Sequence, residues 1–331
     1  MNFIEILLIF LSMSNKMNKL LNENILFEVI PYPIKWDDYK KENFIKKVAE
    51  IIYKNNINVI NVPEVVIENR NSNRNIAYLK KVPPLEFANY LNSYYYQNYK
   101  RKLDFIINVV VPIKEKDYFL KYCENLVING INKIVLVGKD RSDREYIGYE
   151  VLQASELLKK IYKDNLILGG ITIFHRKNEY LKIIQKKQTN IEFFISQIIF
   201  DKQNFYNLLN DLKNNSVSNL FNLKIYLSLA TINSFKEFNF MKFLEVYFPE
   251  DILLNISNIT NDNDLRIFFN KIIDNLIVEL SEIIFIFRKY NLDIGFNIEH
   301  IMYDNLNFSE ELLKKVKIKL KNIEFLKTKN F

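Results

Sequence analysis

The sequence predicts an α/β protein that folds as a single (βα)₈ barrel after a short extra N-terminal segment. Short runs of β-branched and apolar residues alternate with amphipathic segments, which is typical of βα units around a parallel sheet. The chain has 331 residues, a length at which α/β barrels fold as one unit. Hydrophobic residues make up 49% of the chain and aromatic residues 14%. This composition supplies the apolar surface that a large core needs.

We predict eight strands, each a short apolar run that could be buried on both faces. In chain order they are Ile25–Ile30, Ile57–Val62, Leu103–Val111, Lys133–Val137, Leu166–Ile171, Ile191–Phe200, Leu223–Leu229 and Asp293–Ile298. The helical stretches between them include Glu115–Val127, Tyr149–Tyr162, Glu179–Lys187 and Asp264–Tyr290. The last stretch is long enough for more than one helix or a kink. Residues 25–331 are therefore assigned to a catalytic barrel, with its active site at the C-terminal ends of the strands.

Residues 1–24 are assigned to an N-terminal extension. The opening run, residues 1–11, is apolar, but it is shorter than the roughly 20 residues of a membrane-spanning helix and contains Glu5. It lacks the basic start and the small-residue cleavage site of a signal peptide. We interpret it as an extra helix over the barrel, or as sequence upstream of a true start at Met13 or Met17. No membrane partner is expected.

Charge and cysteine content favour a cytoplasmic protein without a nucleic-acid partner. The net charge of +7 comes from 46 basic and 39 acidic residues. Stretches of mixed sign such as Glu310–Lys315 are typical of a solvated helix face, although a small anionic ligand would also be attracted. Cys123 is the only cysteine, so an intramolecular disulfide is excluded and a reducing compartment fits. Neither a GxGxxG nor a GxxxxGK motif occurs, which leaves no Rossmann or P-loop fingerprint.

Most of the glycines fall at the predicted strands. The sequence has six, and five of them flank or occupy strands: Gly130, Gly138, Gly169, Gly170 and Gly295. Gly148 is expected to open a helix. A glycine at the end of a strand allows close approach of a ligand to the backbone, or a positive φ. The distribution of the glycines therefore supports the placement of the active site at the C-terminal ends of the strands.

Two polar residues interrupt strands that are otherwise apolar. Gln197 lies within Ile191–Phe200, and Glu28 lies just before the end of Ile25–Ile30. An unpaired buried amide costs on the order of 1–3 kcal/mol. Each residue must therefore meet a partner inside the fold or face a ligand, and two such residues suggest a pocket.

Sorting the polar residues by strand gives one candidate site at the C-terminal end of the barrel. It consists of Glu28 on strand one, Asn108 on strand three, Asp140 after strand four, His175 after strand five and Gln197 on strand six. Other interpretations remain open: Glu28 as a structural carboxylate, Asp140 as a cap of the next helix, and His175 as an ordinary loop or N-cap residue. His300 is the only other histidine, so a histidine-rich metal site is excluded and no metal is predicted.

Four segments carry a family resemblance. They are Phe27–Pro31 (FEVIP), Ile134–Asp140 (IVLVGKD), Gly169–His175 (GGITIFH) followed by Lys186, and Phe193–Asp201 (FFISQIIFD). The chain resembles the methylenetetrahydrofolate reductase family, whose members are (βα)₈ flavoproteins of one-carbon metabolism and methionine biosynthesis. The last segment resembles the family's Thr-Gln-aromatic-Asp core, which is its most diagnostic part. The resemblance is best over residues 25–201.

The resemblance implies a role for each matched residue. Glu28 would be the general acid of folate reduction, and Asp140 the carboxylate near the pyrimidine edge of the flavin. Gln197 would hold the folate or the nicotinamide, and His175 and Lys186 would contact FAD. Two further flavin contacts follow from position: Gly138 lies in the segment that matches the family's Arg-Gly-Asp, and Asn108 stands where the family has a histidine on strand three.

The implied activity is the NADH- or NADPH-dependent reduction of 5,10-methylenetetrahydrofolate, or of a related pterin carrier, to the 5-methyl form through FAD. Three alternatives remain open. They are a flavin-free reductase of the same substrate, another flavin barrel oxidoreductase of the proline-dehydrogenase kind, and a non-catalytic barrel subunit. A homo-oligomer or a partner subunit that supplies electrons is compatible with each of them.

Overall fold

Eight parallel strands close into a barrel, which confirms the predicted fold class. The computed structural model describes residues 24–67, 70, 74–140, 144–215, 223–287 and 292–328. Each strand pairs with the next, and β8 pairs with β1 to complete the closed sheet. Apart from Asn24, the expected N-terminal extension and its alternative starts lie outside the described residues.

Each predicted strand corresponds to an observed one. The strands are β1 (Ile25–Val29), β2 (Val59–Val62), β3 (Asp104–Val110), β4 (Lys133–Val137), β5 (Ile167–Thr172), β6 (Phe193–Ser196), β7 (Lys224–Leu229) and β8 (Asp293–His300). Two boundaries matter for the site. The strand β6 ends at Ser196, so Gln197 follows it and does not lie on it, although the Gln197 N–H still donates to the Thr172 carbonyl at 2.9 Å. The strand β8 continues beyond the predicted end at Ile298 as far as His300.

Helices between the strands cover the outside of the barrel. Among the described residues they are α1 (Asp38–Lys54), α2 (Pro84–Tyr99), α3 (Lys116–Ile128), α4 (Val151–Tyr162), α5 (Glu179–Gln188), α6 (Gln203–Asn214), α7 (Phe235–Phe243), α8 (Glu250–Ile256), α9 (Asp262–Phe287) and α10 (Leu306–Thr328). The long stretch before β8 forms one continuous helix, α9. No helix within the described ranges is long and apolar enough to cross a bilayer.

The strands alternate between two apolar layers, as expected for residues that point inward and outward in turn. The inward side chains pack into a cluster of their own, formed by Leu26, Val59, Ile106, Val135, Phe193, Ile195 and Tyr226. The outward side chains pack against the helices in the main core. The barrel interior is therefore filled with side chains below the C-terminal ends of the strands.

Two strand glycines make room for aromatic rings inside the barrel. A Cβ on Gly169 would lie 2.5 Å from the ring of Phe193, and one on Gly295 would lie 2.8 Å from the ring of Tyr226. Packing inside the barrel therefore accounts for these two glycines. Among the described glycines only Gly130 has a positive φ, of 83°.

The loop before α4 also requires a glycine. A Cβ on Gly148 would lie 2.5 Å from the carbonyl oxygens of Val111 and Lys114. The helix itself begins at Val151, so Gly148 precedes it and does not open it. Its role is to let the loop pass close to the backbone at the end of β3.

Candidate active site

A cavity of about 550 Å³ opens at the C-terminal ends of the strands. The structure places every residue of the predicted site on its lining: Glu28, Asn108, Gly138, Asp140, His175, Lys186 and Gln197. They come from β1, β3, helix α5 and the segments that follow β4, β5 and β6. This convergence follows from the barrel topology, because parallel strands present their carboxyl ends at one face.

Glu28 lies at the floor of the cavity and is held by two asparagine side chains. The amide Nδ2 of Asn61 on β2 donates to its Oε2 at 2.6 Å, and that of Asn297 on β8 donates at 3.0 Å. Burial disfavours the charged form and raises the pKa of Glu28 to about 7, although the two amide hydrogen bonds oppose the shift. The carboxyl group is therefore able to hold or release a proton near neutral pH.

A second carboxyl group, which the sequence reasoning missed, lies beside Glu28. Glu299 on β8 is the register partner of Glu28 on β1, and it also lines the cavity. Burial and the neighbouring Glu28 raise its pKa well above the usual range. The predicted strand eight ended at Ile298, one residue before Glu299 and two before the observed end at His300. The alternation of Asn297, Ile298 and Glu299 was the available signal, since it places both polar side chains on the inner face.

The floor of the cavity has more hydrogen-bond acceptors than donors. Gln197 donates its Nε2 to the Leu244 carbonyl at 3.1 Å, but its Oε1 is buried and has no hydrogen-bond partner among the described residues. The Oδ1 atoms of Asn108, Asn61 and Asn297 are likewise buried and have no hydrogen-bond partner among the described residues. Buried polar atoms are nearly always hydrogen-bonded in native proteins. Because Gln197 and Asn108 line the cavity, a ligand with N–H donors that reached these oxygens would give them partners.

Asp140 lies at the cavity rim after β4 and accepts a hydrogen bond from the Tyr146 hydroxyl. The alternative interpretation, in which Asp140 caps the following helix, is wrong. Glu150 is the N-cap of α4 and forms a capping box with Gln153. The adjacent Lys139 forms an ion pair with Glu150 at 2.5 Å, which ties the rim to the start of that helix.

His175 lies at the rim after β5, with its ring stacked on Tyr247 at a centroid distance of 5.2 Å. Burial and the neighbouring Arg176 lower the pKa of His175, so it is largely neutral at pH 7. It does not cap the following helix, because Asn178 occupies the N-cap position of α5. The residue therefore belongs to the cavity lining.

Lys186 reaches the cavity from α5. Its Nζ donates to the Ile171 carbonyl at 2.5 Å, and burial lowers its pKa to about 8. The ammonium group has further N–H donors beyond this one bond. Because its pKa of about 8 lies above neutral pH, the group remains mostly charged. Its further donors are available for hydrogen bonds at the side of the cavity.

The outer part of the cavity is predominantly basic. The basic side chains on its lining are Arg70, Lys139, Arg144, Arg176, Lys182 and Lys186, and the acidic ones at the rim are Glu64, Asp140 and Glu245. Glu64 forms an ion pair with the buried Lys114 at 2.5 Å and also accepts from the Val110 N–H at 2.7 Å. That pair, which the sequence reasoning missed, fixes the segment after β2 to β3. The remaining excess of positive charge suits an anionic group on the ligand.

Comparison with known proteins supports the fold. No protein-family model matches this sequence, and neither does any curated protein. Among solved structures, a protein from Clostridium thermocellum is described as uncharacterized and as binding two copies of 5-methyl-5,6,7,8-tetrahydrofolic acid. It aligns with 92% of this chain and 99% of its own, with a TM-score of 0.69 and 22% identity. At this identity the similarity establishes a shared barrel fold.

Two further barrels align more weakly. An oxaloacetate acetylhydrolase in complex with oxalate covers 66% of this chain and 72% of its own, at 9% identity and a TM-score of 0.41. A dihydrodipicolinate synthase from Rhodopseudomonas palustris covers 92% and 77%, at 9% identity and a TM-score of 0.47. Similarities of this size carry no information about activity.

Proposed function

We propose that this protein binds a reduced pterin of the tetrahydrofolate type in the barrel cavity. We further propose that it reduces a 5,10-methylene form to the 5-methyl form with electrons from NADH or NADPH. The observation that carries the proposal is Glu28, a carboxyl group at the cavity floor whose pKa is raised to about 7. The ligand described for the Clostridium thermocellum barrel supports the same substrate class.

The polar groups at the floor are complementary to a pterin ring. The pyrimidine edge of a reduced pterin presents N–H donors from its amino group and ring nitrogens. Gln197 offers a buried oxygen acceptor that has no partner among the described residues, and the carboxyl group of Glu28 lies on the same lining. A ligand that pairs with the Gln197 oxygen removes the penalty of leaving it unsatisfied.

Glu28 would supply the proton that opens the imidazolidine ring. Protonation of N10 breaks its bond to the bridging carbon and leaves an iminium cation at N5. General acids work best when their pKa lies near the operating pH, and burial gives Glu28 that property. The two asparagine amides, Asn61 and Asn297, then stabilise the carboxylate that remains.

The residues on the lining also fit a flavin. The unpartnered Oδ1 of Asn108 can accept from the flavin N3–H, and the Lys186 ammonium can donate to the polar edge of the ring. Arg144, Arg176 and Lys182 line the same cavity and suit a diphosphate. A bound flavin would supply the hydride for the reduction. We propose Gly138 and His175 as further contacts, and Asp140 as the carboxylate that favours the cation.

An anaerobic assay of the purified protein tests this function. The protein would be mixed with FAD, NADH or NADPH, and 5,10-methylenetetrahydrofolate, and formation of the 5-methyl product would be measured by chromatography. We expect product from the wild type and a loss of about 10²-fold or more with Glu28→Gln, as for removal of a general acid. The matched control is Glu192→Gln, which removes a carboxylate that pairs with Lys159 away from the cavity.

The same assay separates the alternatives. Product formed without flavin would indicate direct hydride transfer. Bleaching of bound flavin by NADH without product would indicate another flavin barrel oxidoreductase. If neither product nor flavin reduction is seen and the substrate does not bind, the proposed function is wrong and a non-catalytic barrel becomes the better account.

A further inference from the structure

The two carboxyl groups at the cavity floor are arranged as a pair. Glu28 and Glu299 are register partners on the adjacent strands β1 and β8, and both point into the cavity. One nitrogen, Nδ2 of Asn297, lies 3.0 Å from the Oε2 of Glu28 and 3.4 Å from the Oε1 of Glu299. The two groups therefore meet at a single amide. The same nitrogen also lies 3.0 Å from the Ser228 hydroxyl oxygen.

Among the described residues of the strands around this pair, no positive side chain lies at its level; Lys224, at the start of β7, forms an ion pair with Asp293. The inward neighbours of the two glutamates at this level are Asn61 on β2, Ser228 on β7 and Asn297 on β8, all neutral. Burial and the Glu28 carboxyl group raise the pKa of Glu299, and hydrogen bonds with Ser228 and Asn297 oppose this shift. Two adjacent carboxylates in such surroundings repel each other strongly unless they share a proton.

The other charged and titratable groups lie farther out or face another layer. Those on the cavity lining belong to its rim and sides: Glu64, Arg70, Lys139, Asp140, Arg144, Tyr146, His175, Arg176, Lys182, Lys186 and Glu245. His300 follows Glu299 but points outward, with its ring 5.8 Å from that of Phe44 and 5.9 Å from that of Tyr303. Burial lowers the pKa of His300 to about 3, so it is neutral at pH 7.

We propose that Glu28 and Glu299 share one proton at neutral pH, and that Glu299 is the positioning residue that keeps this proton available on Glu28. The inference deepens the proposed function and rests on it for its catalytic meaning. The shared proton rests on the strand register and on the common Asn297 amide, and it does not require a ligand. In such a pair the protons leave in two steps that belong to both groups together.

The pair gives Glu299 a definite part in the reaction. When Glu28 gives its proton to N10 of the substrate, the bond from N10 to the bridging carbon breaks, and a positive charge appears at N5. The pair then carries two negative charges at the cavity floor, which stabilise the iminium cation electrostatically. Repulsion between the two carboxylates also raises their affinity for a replacement proton from water.

Infrared titration of the protein without substrate tests the shared proton. The carbonyl stretch of protonated carboxyl groups would be followed against pH in the wild type, Glu28→Gln, Glu299→Gln and the control Glu237→Gln. Glu237 is matched because it is also buried and held by an asparagine, Asn233, whose Nδ2 lies 3.2 Å away, and it lies outside the cavity lining. Burial raises its pKa as well.

We expect both glutamine variants of the pair to lose the same titration step, the one at highest pH. The carboxyl group that remains should titrate about one pH unit or more lower, because its charged neighbour is gone. The control should keep the highest step. If Glu28→Gln keeps that step and only Glu299→Gln removes it, the groups titrate independently and the proposal is wrong.

Two further measurements keep the test decisive. If a glutamine variant does not fold, the variants Glu28→Asp and Glu299→Asp keep a carboxyl group but retract it. Each should then move the highest step, whereas independent groups would each move only their own step. In the reductase assay, Glu299→Gln should shift the basic limb of the kcat/KM profile about one pH unit lower. A shared proton in a protein that binds no pterin would support the pair and contradict the proposed function.

Discussion

At the scale of single residues, Gln197 shows how one polar side chain serves both the fold and the site. Its Nε2 donates to the Leu244 carbonyl, and its Oε1 remains unpartnered in the cavity. Of the two explanations considered for this residue from sequence, the internal partner is found at one end of the amide, and we propose the ligand for the other end. A pattern of residues cannot separate the two ends, because the contact with Leu244 joins distant parts of the chain.

Replacing Gln197 should weaken ligand binding. In Gln197→Met the unpartnered oxygen is lost with little change in volume, so pterin affinity should fall about tenfold, the value of one hydrogen bond of roughly 1–1.5 kcal/mol. Calorimetric titration with 5-methyltetrahydrofolate measures the change. Gln203→Met is the control, since Gln203 is exposed and lies at the start of α6. An equal loss in both variants would show that Gln197 does not face the ligand.

The raised pKa of Glu28 predicts a characteristic dependence of stability on pH. In the folded protein the pKa of Glu28 is raised to about 7, whereas a glutamate in the unfolded chain has an ordinary pKa of about 4.5. The folded state therefore binds more protons than the unfolded state between these values, and the free energy of unfolding falls as the pH rises through this window. The loss attributable to Glu28 should be on the order of 3 kcal/mol.

Urea unfolding at several pH values measures this effect. The variant Glu28→Gln cannot ionise, so its stability should fall less between pH 4.5 and 7 than that of the wild type. The free energy of unfolding of Glu28→Gln, taken relative to that of the wild type, should therefore be higher at pH 7 than at pH 4.5. Parallel curves for the two proteins would show that Glu28 has an ordinary pKa.

At the scale of elements, the strand glycines show that a residue type predicted for function can serve packing. Gly169 and Gly295 face the rings of Phe193 and Tyr226 inside the barrel. The sequence places these glycines on strands, but it does not say which strand lies opposite which. The pairing of β5 with β6, and of β7 with β8, decides their role.

A side chain at Gly169 should destabilise the barrel. In Gly169→Ala the new Cβ would lie 2.5 Å from the Phe193 ring, so the free energy of unfolding should fall by about 1–3 kcal/mol, as for overpacking of a core. Gly138→Ala is the matched control, because its Cβ would meet only Val151 at an ordinary 3.5 Å. The double variant Gly169→Ala, Phe193→Leu should recover part of the loss. Equal stability of the two single variants would contradict this packing.

The end of β8 carries a site residue, Glu299, that was not predicted from the sequence. The predicted strand ended at Ile298, so Glu299 was not considered, and the pairing of β8 with β1 places it beside Glu28. Glu28 itself was identified because a charge interrupts an apolar strand. Glu299 sits in a polar alternation that could equally mark a solvated strand, and only closure of the barrel turns that face inward.

At the scale of the whole molecule, the barrel separates the site into a neutral or acidic floor and a basic rim. The floor holds Glu28 and Glu299, and the rim holds most of the positive side chains. Fold class and the positions of the predicted residues could be read from sequence, since strand order places all strand ends at one face. The hydrogen bonds at the floor could not, because Asn61, Glu28 and Asn297 are far apart in the chain.

The basic rim predicts tighter binding of ligands with longer anionic tails. A tetrahydrofolate with several glutamates should bind more tightly than one with a single glutamate, and the difference should shrink at high salt, because salt screens exposed charges. Lys182→Ala should reduce the difference, whereas Lys177→Ala should not, since Lys177 is exposed and lies outside the lining. An advantage of the longer tail that does not change with salt would contradict this role of the rim.

Whether the barrel cavity binds a reduced pterin is tested by equilibrium binding of 5-methyltetrahydrofolate to the wild-type protein, measured by calorimetry under anaerobic conditions. We expect saturable binding that is weakened by Gln197→Met. Absence of saturable binding to the folded protein, at ligand concentrations up to about 1 mM where even weak specific complexes form, would contradict the assignment of this cavity to a reduced pterin.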